Sequence, residues 1–183
     1  DREVTAGDFQ AFAAATGAPM PRQPEWYADA AHPVVNLTWD EAQLFCKWAG
    51  GRLPTEAQWE YAARGGFDGR LYPWGDEFTG GEANARLVIG GETWPSTAPT
   101  GSFEPNGFGL RDMAGNVWEW TASQYRPDYV ASPRDDSYDL RVVRGGSWES
   151  RGVNLRISQR VAVPRQGRRN LYVGFRCVRP VSD

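Results

Sequence analysis

Few residues in this chain of 183 could do chemistry on their own. His32 is its only histidine, and Cys46 and Cys177 are its only cysteines, which argues against a zinc cluster of the usual kind and against a Ser-His-Asp site. Ser147 or Ser150 with Arg160 and Glu119 supplies hydroxyls, a guanidinium and a carboxylate, but no base to activate a serine, and the spacing is generic. Most of the information lies in four runs: Gly51-Arg52-Leu53-Pro54-Thr55-Glu56, Gly115-Asn116-Val117-Trp118-Glu119-Trp120, Gly145-Gly146-Ser147-Trp148 and Gly174-Phe175-Arg176-Cys177.

The elements that must position these runs are short. Thr5 followed by Phe9, Phe12 and Ala13, with Gly17 closing, predicts an amphipathic helix. Thr38-Trp39-Asp40-Glu41 is a capping box; the helix it opens puts Ala42, Phe45, Cys46 and Ala49 on one face and stops at Gly50-Gly51. Thr55 to Gln58 repeats the device before a helix that ends at Gly65-Gly66. From Gly65 to Ser102 periodicity is lost, which predicts long ordered loops punctuated by Tyr72, Trp74 and Trp94. Arg141 to Arg144 and Leu171 to Val178 read as strands, the second as a half-buried antiparallel strand with Leu171, Val173, Phe175 and Cys177 on one face. Pro127 to Asp139, rich in Pro, Ser and Asp, is expected to be a mobile loop.

Composition fits one loop-rich domain over residues 1–183, its loops pinned by nine tryptophans among 21 glycines and 13 prolines. The chain opens inside a helix cap, so an upstream strand or targeting segment is expected ahead of Asp1, and the sequence does not fix the compartment. No apolar run is long enough for a membrane span. The net charge of -3 hides an asymmetry: residues 141–183 hold ten Arg against Glu149 and Asp183. That basic part either meets an anionic ligand or packs on an acidic body through internal ion pairs. An acidic chain disfavours nucleic acid as a partner.

Taken together, the four runs, with Pro33-Val34-Val35, Tyr72-Pro73-Trp74-Gly75, Ala83-Asn84 and Asn106 to Leu110, resemble the formylglycine-generating enzyme or sulfatase-modifying factor family. The resemblance implies an α+β, loop-rich fold, a variant of the C-type lectin fold. In family members that oxidise a sulfatase cysteine, a cysteine pair just after the Gly-Gly-Ser-aromatic run holds copper(I), for which soft thiolates are suited. Those positions fall at Ser150 and Leu155, and no cysteine lies between Trp148 and Arg160. The resemblance therefore implies no catalytic residue of the known kind, no copper and no formylglycine-generating activity. Cys46 and Cys177 match positions that pair as a disulfide in some relatives; the residues alone fit two buried thiols equally well.

Family calcium sites carry over better. One would use Asp112, the Gly115 and Val117 carbonyls and Glu119, the alternative for Glu119 being an ion pair with Arg144 or Arg176. A second would use Asn84, the Ala85 and Trp94 carbonyls, and Glu92 where the family more often has Asp. The expected function is a non-catalytic binding, scaffold or regulatory module, or a subunit of a larger complex. Its ligand face would comprise Trp148, Ser150, Arg151, Asn154, Arg156, Arg160, Arg168 and Tyr172, suited to a protein, a peptide or a small anionic ligand. Alternatives are a pyoverdine-maturation-like or sulfoxide-synthase-like enzyme, or a variable protein of a diversity-generating retroelement. A periplasmic or extracellular setting is favoured over a cytoplasmic one.

Overall fold

The structure, a computed structural model, describes residues 1–25, 29–86, 94–127, 139–166 and 170–180. Glu92, Arg168 and residues 128–138 of the Pro127–Asp139 segment lie outside these. The three helices form as their caps dictate. Each of α1 (Ala6–Thr16), α2 (Trp39–Trp48) and α3 (Glu56–Arg64) begins after a threonine whose hydroxyl accepts the amide of the residue three positions on. Asp8, Glu41 and Gln58 return the bond to the cap amide, completing three capping boxes. Left-handed Gly17 and Gly65 end α1 and α3, as glycine at these positions allows.

Four strands follow: β1 (Trp118–Gln124), β2 (Leu140–Arg144), β3 (Arg160–Pro164) and β4 (Val173–Gly174). They form one sheet in the order β3-β2-β1-β4. The β2 pairings are antiparallel, with Glu119 opposite Arg144 on one side and Arg144 opposite Arg160 on the other. The expected strand from Leu171 to Val178 shrinks to two residues and pairs parallel to β1, not antiparallel. Gly174 and Arg176 are buried along with Val173 and Phe175, so both faces are covered, as suits a parallel pairing, and the half-buried alternation is absent.

The main core lies between α1, α2 and the sheet. Phe9, Phe12, Phe45 and Phe175 pack with ring centroids 5.1 to 5.6 Å apart, mostly edge to face, over Trp120 and Val143. Cys46 of α2 and Cys177 just beyond β4 form a disulfide spanning a sequence separation of 131, beside the Arg52–Val178 bridge. A smaller cluster of Tyr72, Ala83, Ala85, Ala114 and Leu155, flanked by Trp74 and Phe78, pins the long loops to the turn after β2.

Candidate functional site

The turn after β2 is built from residues that allow nothing bulkier. Gly146 has φ +82°, and a Cβ there would lie 2.8 Å from the Leu155 side chain and 2.9 Å from the Asn154 carbonyl. Arg144, fully buried, anchors the turn's start: it donates to Glu56 at 2.7 Å, to Glu60 at 2.6 Å and to the Ile157 carbonyl at 2.7 Å. The Trp148 amide donates to the Asn116 carbonyl at 2.9 Å, tying the Gly145–Trp148 run to the Gly115–Trp120 run. Past the turn, Gly152–Leu155 forms one turn of 3-10 helix.

Within this frame Ser150 is buried and its hydroxyl accepts the Ser147 amide at 2.9 Å; the two serine hydroxyls stand 3.4 Å apart. Leu155 has no solvent exposure and completes the apolar cluster around Tyr72. The two positions that the resemblance matched to copper thiolates thus hold a hydroxyl closing a turn and a core side chain. Beside them opens a cavity of about 270 Å³. Its apolar wall is Trp118, Val143, Val161, Val163 and Val173, and its polar rim includes Ser150, Asn154, Asn170 and Tyr172. The Tyr172 ring packs against Trp148 at 5.3 Å.

Of the expected ligand face, Trp148, Ser150, Asn154 and Tyr172 therefore come together. Arg151 and Arg156 are exposed and do not line this cavity. Arg160 turns elsewhere: its Nε and one terminal nitrogen donate to Glu56 at 2.8 and 3.0 Å, and the other to the Arg126 carbonyl at 2.6 Å. Trp118, Val161 and Val163 were not anticipated as lining residues. The signal was present in β3, where Val161 and Val163 alternate, but Arg160 and Pro164 at its ends disguise the strand.

A second centre gathers three carboxylates, Glu3, Asp112 and Glu119, all buried, around Arg176. Arg176 donates to both oxygens of Glu119 at 2.7 Å and to the Arg111 and Asp112 carbonyls, while the Trp59 indole also donates to Glu119 at 2.7 Å. Glu3 accepts from the Asn116 side chain at 2.6 Å and from the Val117 amide at 3.3 Å. One Asp112 oxygen takes the Gly101 amide; the other is buried without a hydrogen-bond partner. Burial first, then Asp112 and Glu119, pushes the Glu3 carboxyl well above its ordinary 4.5, and burial raises Asp112 above 3.8.

This cluster tests whether the implied calcium fits. Three carboxylates against one guanidinium leave an excess of negative charge out of water, and the Asp112 oxygen is an orphaned hard donor. Among the described residues, however, no group of three or more Asp, Glu, His or Cys side chains is arranged to hold a metal ion, so a cation here would draw on backbone carbonyls as well. Glu119 is already held by Arg176, the alternative the sequence left open, yet its second oxygen accepts only one hydrogen bond. For the other expected set, Asn84 and Ala85 are buried, and the Asn84 carbonyl accepts the Asn116 amide at 2.8 Å. Trp94 is 43% exposed, and Glu92 lies outside the described residues.

A family described as "Sulfatase-modifying factor enzyme 1-like domain" matches residues 1–181. The chain belongs to this family. It is 45% identical over 166 residues to the formylglycine-generating enzyme of Streptomyces coelicolor, covering 80% of this chain and 52% of that protein. It is 40% identical over 158 residues to the inactive C-alpha-formylglycine-generating enzyme 2 of Bos taurus, covering 79% and 49%. The chain therefore spans about half the length of these curated relatives. Among solved structures, PvdO from Pseudomonas aeruginosa superposes with a TM-score of 0.78 at 26% identity, over 95% of this chain and 76% of that one. The expected fold, short helices with a small curled sheet and long loops, is the fold observed.

Proposed function

We propose that this domain is a non-catalytic recognition module of the sulfatase-modifying-factor family, taking its ligand into the cavity beside Ser150. The observation that carries this reading is the replacement of both copper thiolates, one by Ser150 fixed on the Ser147 amide, the other by Leu155 sealed in an apolar cluster. A hydroxyl and an alkyl group cannot bind copper(I), and no side chain at either position can form a mixed disulfide with a substrate cysteine. The relative from Bos taurus, called inactive by its own name, supports the reading by analogy.

What remains is a cavity whose floor is aliphatic and whose rim is uncharged apart from Glu149, held by Arg86 at 3.2 Å. Such a lining suits an apolar or aromatic side chain presented by a protein or peptide, packed against Tyr172 and oriented by Asn154, Asn170 and the serines. Calcium belongs to the proposal as a structural ion: Asp112, the Gly115 and Val117 carbonyls and Glu119 would hold it, with Asn84, Ala85, Glu92 and Trp94 as the second set. Bound there, it would neutralise the carboxylates and rigidify the turn that carries Trp118 into the cavity wall. The test is a copper(I) titration of the purified protein against a chromogenic chelator. No retention above background is expected; one tightly held equivalent per chain would defeat the reading.

A further inference from the structure

A larger groove, of about 710 Å³, opens where α3 meets the ends of β1 and β3. It shares no lining residue with the cavity beside Ser150, and its size falls in the range of small-molecule sites. Two carboxylates and three guanidiniums face it: Glu56 and Glu60 against Arg64, Arg126 and Arg160. Arg144, buried behind the carboxylates, adds a fourth positive charge. The groove is therefore cationic within a chain that is acidic overall.

How that charge is spent decides what the groove can hold. Arg144 takes an oxygen of each carboxylate, and Arg160 takes both oxygens of Glu56. Glu60 gives its other oxygen to a single N–H of Arg64 at 2.7 Å. Arg64 thus keeps most of its donors, with its side chain 27% exposed. Arg126 makes no side-chain ion pair or hydrogen bond among the described residues; only its carbonyl is engaged, by Arg160. Tyr61, 69% exposed, adds a flat apolar surface to the same wall.

We propose that this groove is a binding site for a small molecule bearing an oxyanion, a carboxylate or a phosphate, with Arg126 and Arg64 as its receptors and Tyr61 against its body. Guanidinium forks with unused N–H groups are the side chains best matched to the planar or tetrahedral oxygens of such a group. Glu56 and Glu60 do not repel it, because Glu56 is paired with Arg144 and Arg160, and Glu60 with Arg144 and Arg64. The site stands apart from the recognition reading, so either can fail without the other.

Inorganic phosphate and succinate serve as probes, titrated calorimetrically at constant ionic strength made up with NaCl. One of them should bind with a Kd below about 1 mM. Binding of phosphate alone assigns the site to phosphoryl ligands and binding of succinate alone to carboxylates. Arg126→Gln, at a residue whose guanidinium makes no ion pair or hydrogen bond among the described residues, should weaken binding roughly tenfold, and Arg126→Gln with Arg64→Gln should abolish it. Arg179→Gln, remote from the groove, should leave it unchanged. No binding beyond that of chloride by either probe, or equal affinity in the Arg126→Gln protein, overturns the proposal.

Discussion

At the scale of single residues, Arg144 and Arg176 illustrate why a buried guanidinium is worth more as a partner than as a charge. Arg144 is the buried partner of both Glu56 and Glu60, so Arg144→Gln leaves Glu56 to Arg160 and Glu60 to Arg64 and should cost about 3 kcal/mol in urea unfolding. Burial raises the Glu60 pKa, but hydrogen bonds from Arg64 and Arg144 outweigh it and hold the group below its ordinary 4.5. A depressed carboxyl stabilises the fold above its unfolded pKa, so this contribution should fade as pH falls below 4.5 and be smaller throughout in Arg144→Gln.

Around Arg176 the sign reverses. Glu3 and Asp112 titrate high, so their contribution is intact below about pH 4 and is lost as pH rises through their folded values. At the proposed site, calcium would compete with the Asp112 proton. Its stabilising effect should therefore be larger at pH 8 than at pH 5, on the order of 5 to 10 °C in Tm at a hundredfold excess over Kd. Asp112→Asn should remove most of that increment in a thermal-shift assay; an increment that ignores pH and Asp112 would rule out this ion site.

At the scale of elements, the helices were legible because their signals are local. A threonine and an acid or amide three residues on are enough to fix a first turn, and all three boxes close as read. Thr55→Ala should cost about 1 kcal/mol and should loosen α3, which carries Glu56 and Glu60. Thr38→Ala should cost α2 as much while leaving the Glu56 and Glu60 pairs intact, a contrast readable by hydrogen exchange at α3 amides. The sheet was legible only in part. In β1, Glu119, Trp120 and Thr121 are buried in succession, so no alternation marks the strand, and β4 is set by a parallel pairing with β1. The ion pair between Arg160 and Glu56 joins residues 104 positions apart, beyond the reach of any local spacing. That is why Arg160 was expected on the Trp148 face.

At the scale of the whole molecule, the charge asymmetry resolves largely into internal pairing. Arg144 and Arg160 meet Glu56, Arg165 meets Asp40 and Asp139, and Arg176 meets Glu119, so a basic C-terminal part is clamped onto an acidic body. The Cys46–Cys177 disulfide closes the same two halves; on the chain-entropy model a loop of that length contributes about 5 kcal/mol. Among the described residues no helix is long and apolar enough to cross a membrane. The family fold is thus present, and on the proposed reading the positions matched to its copper thiolates hold Ser150 and Leu155. The most direct test incubates the protein with copper(I), oxygen and a sulfatase-derived cysteine peptide, and reads the peptide by mass spectrometry. With Ser150 and Leu155 at the matched positions the cysteine should stay unconverted; its copper-dependent conversion to the aldehyde would rule out the non-catalytic role.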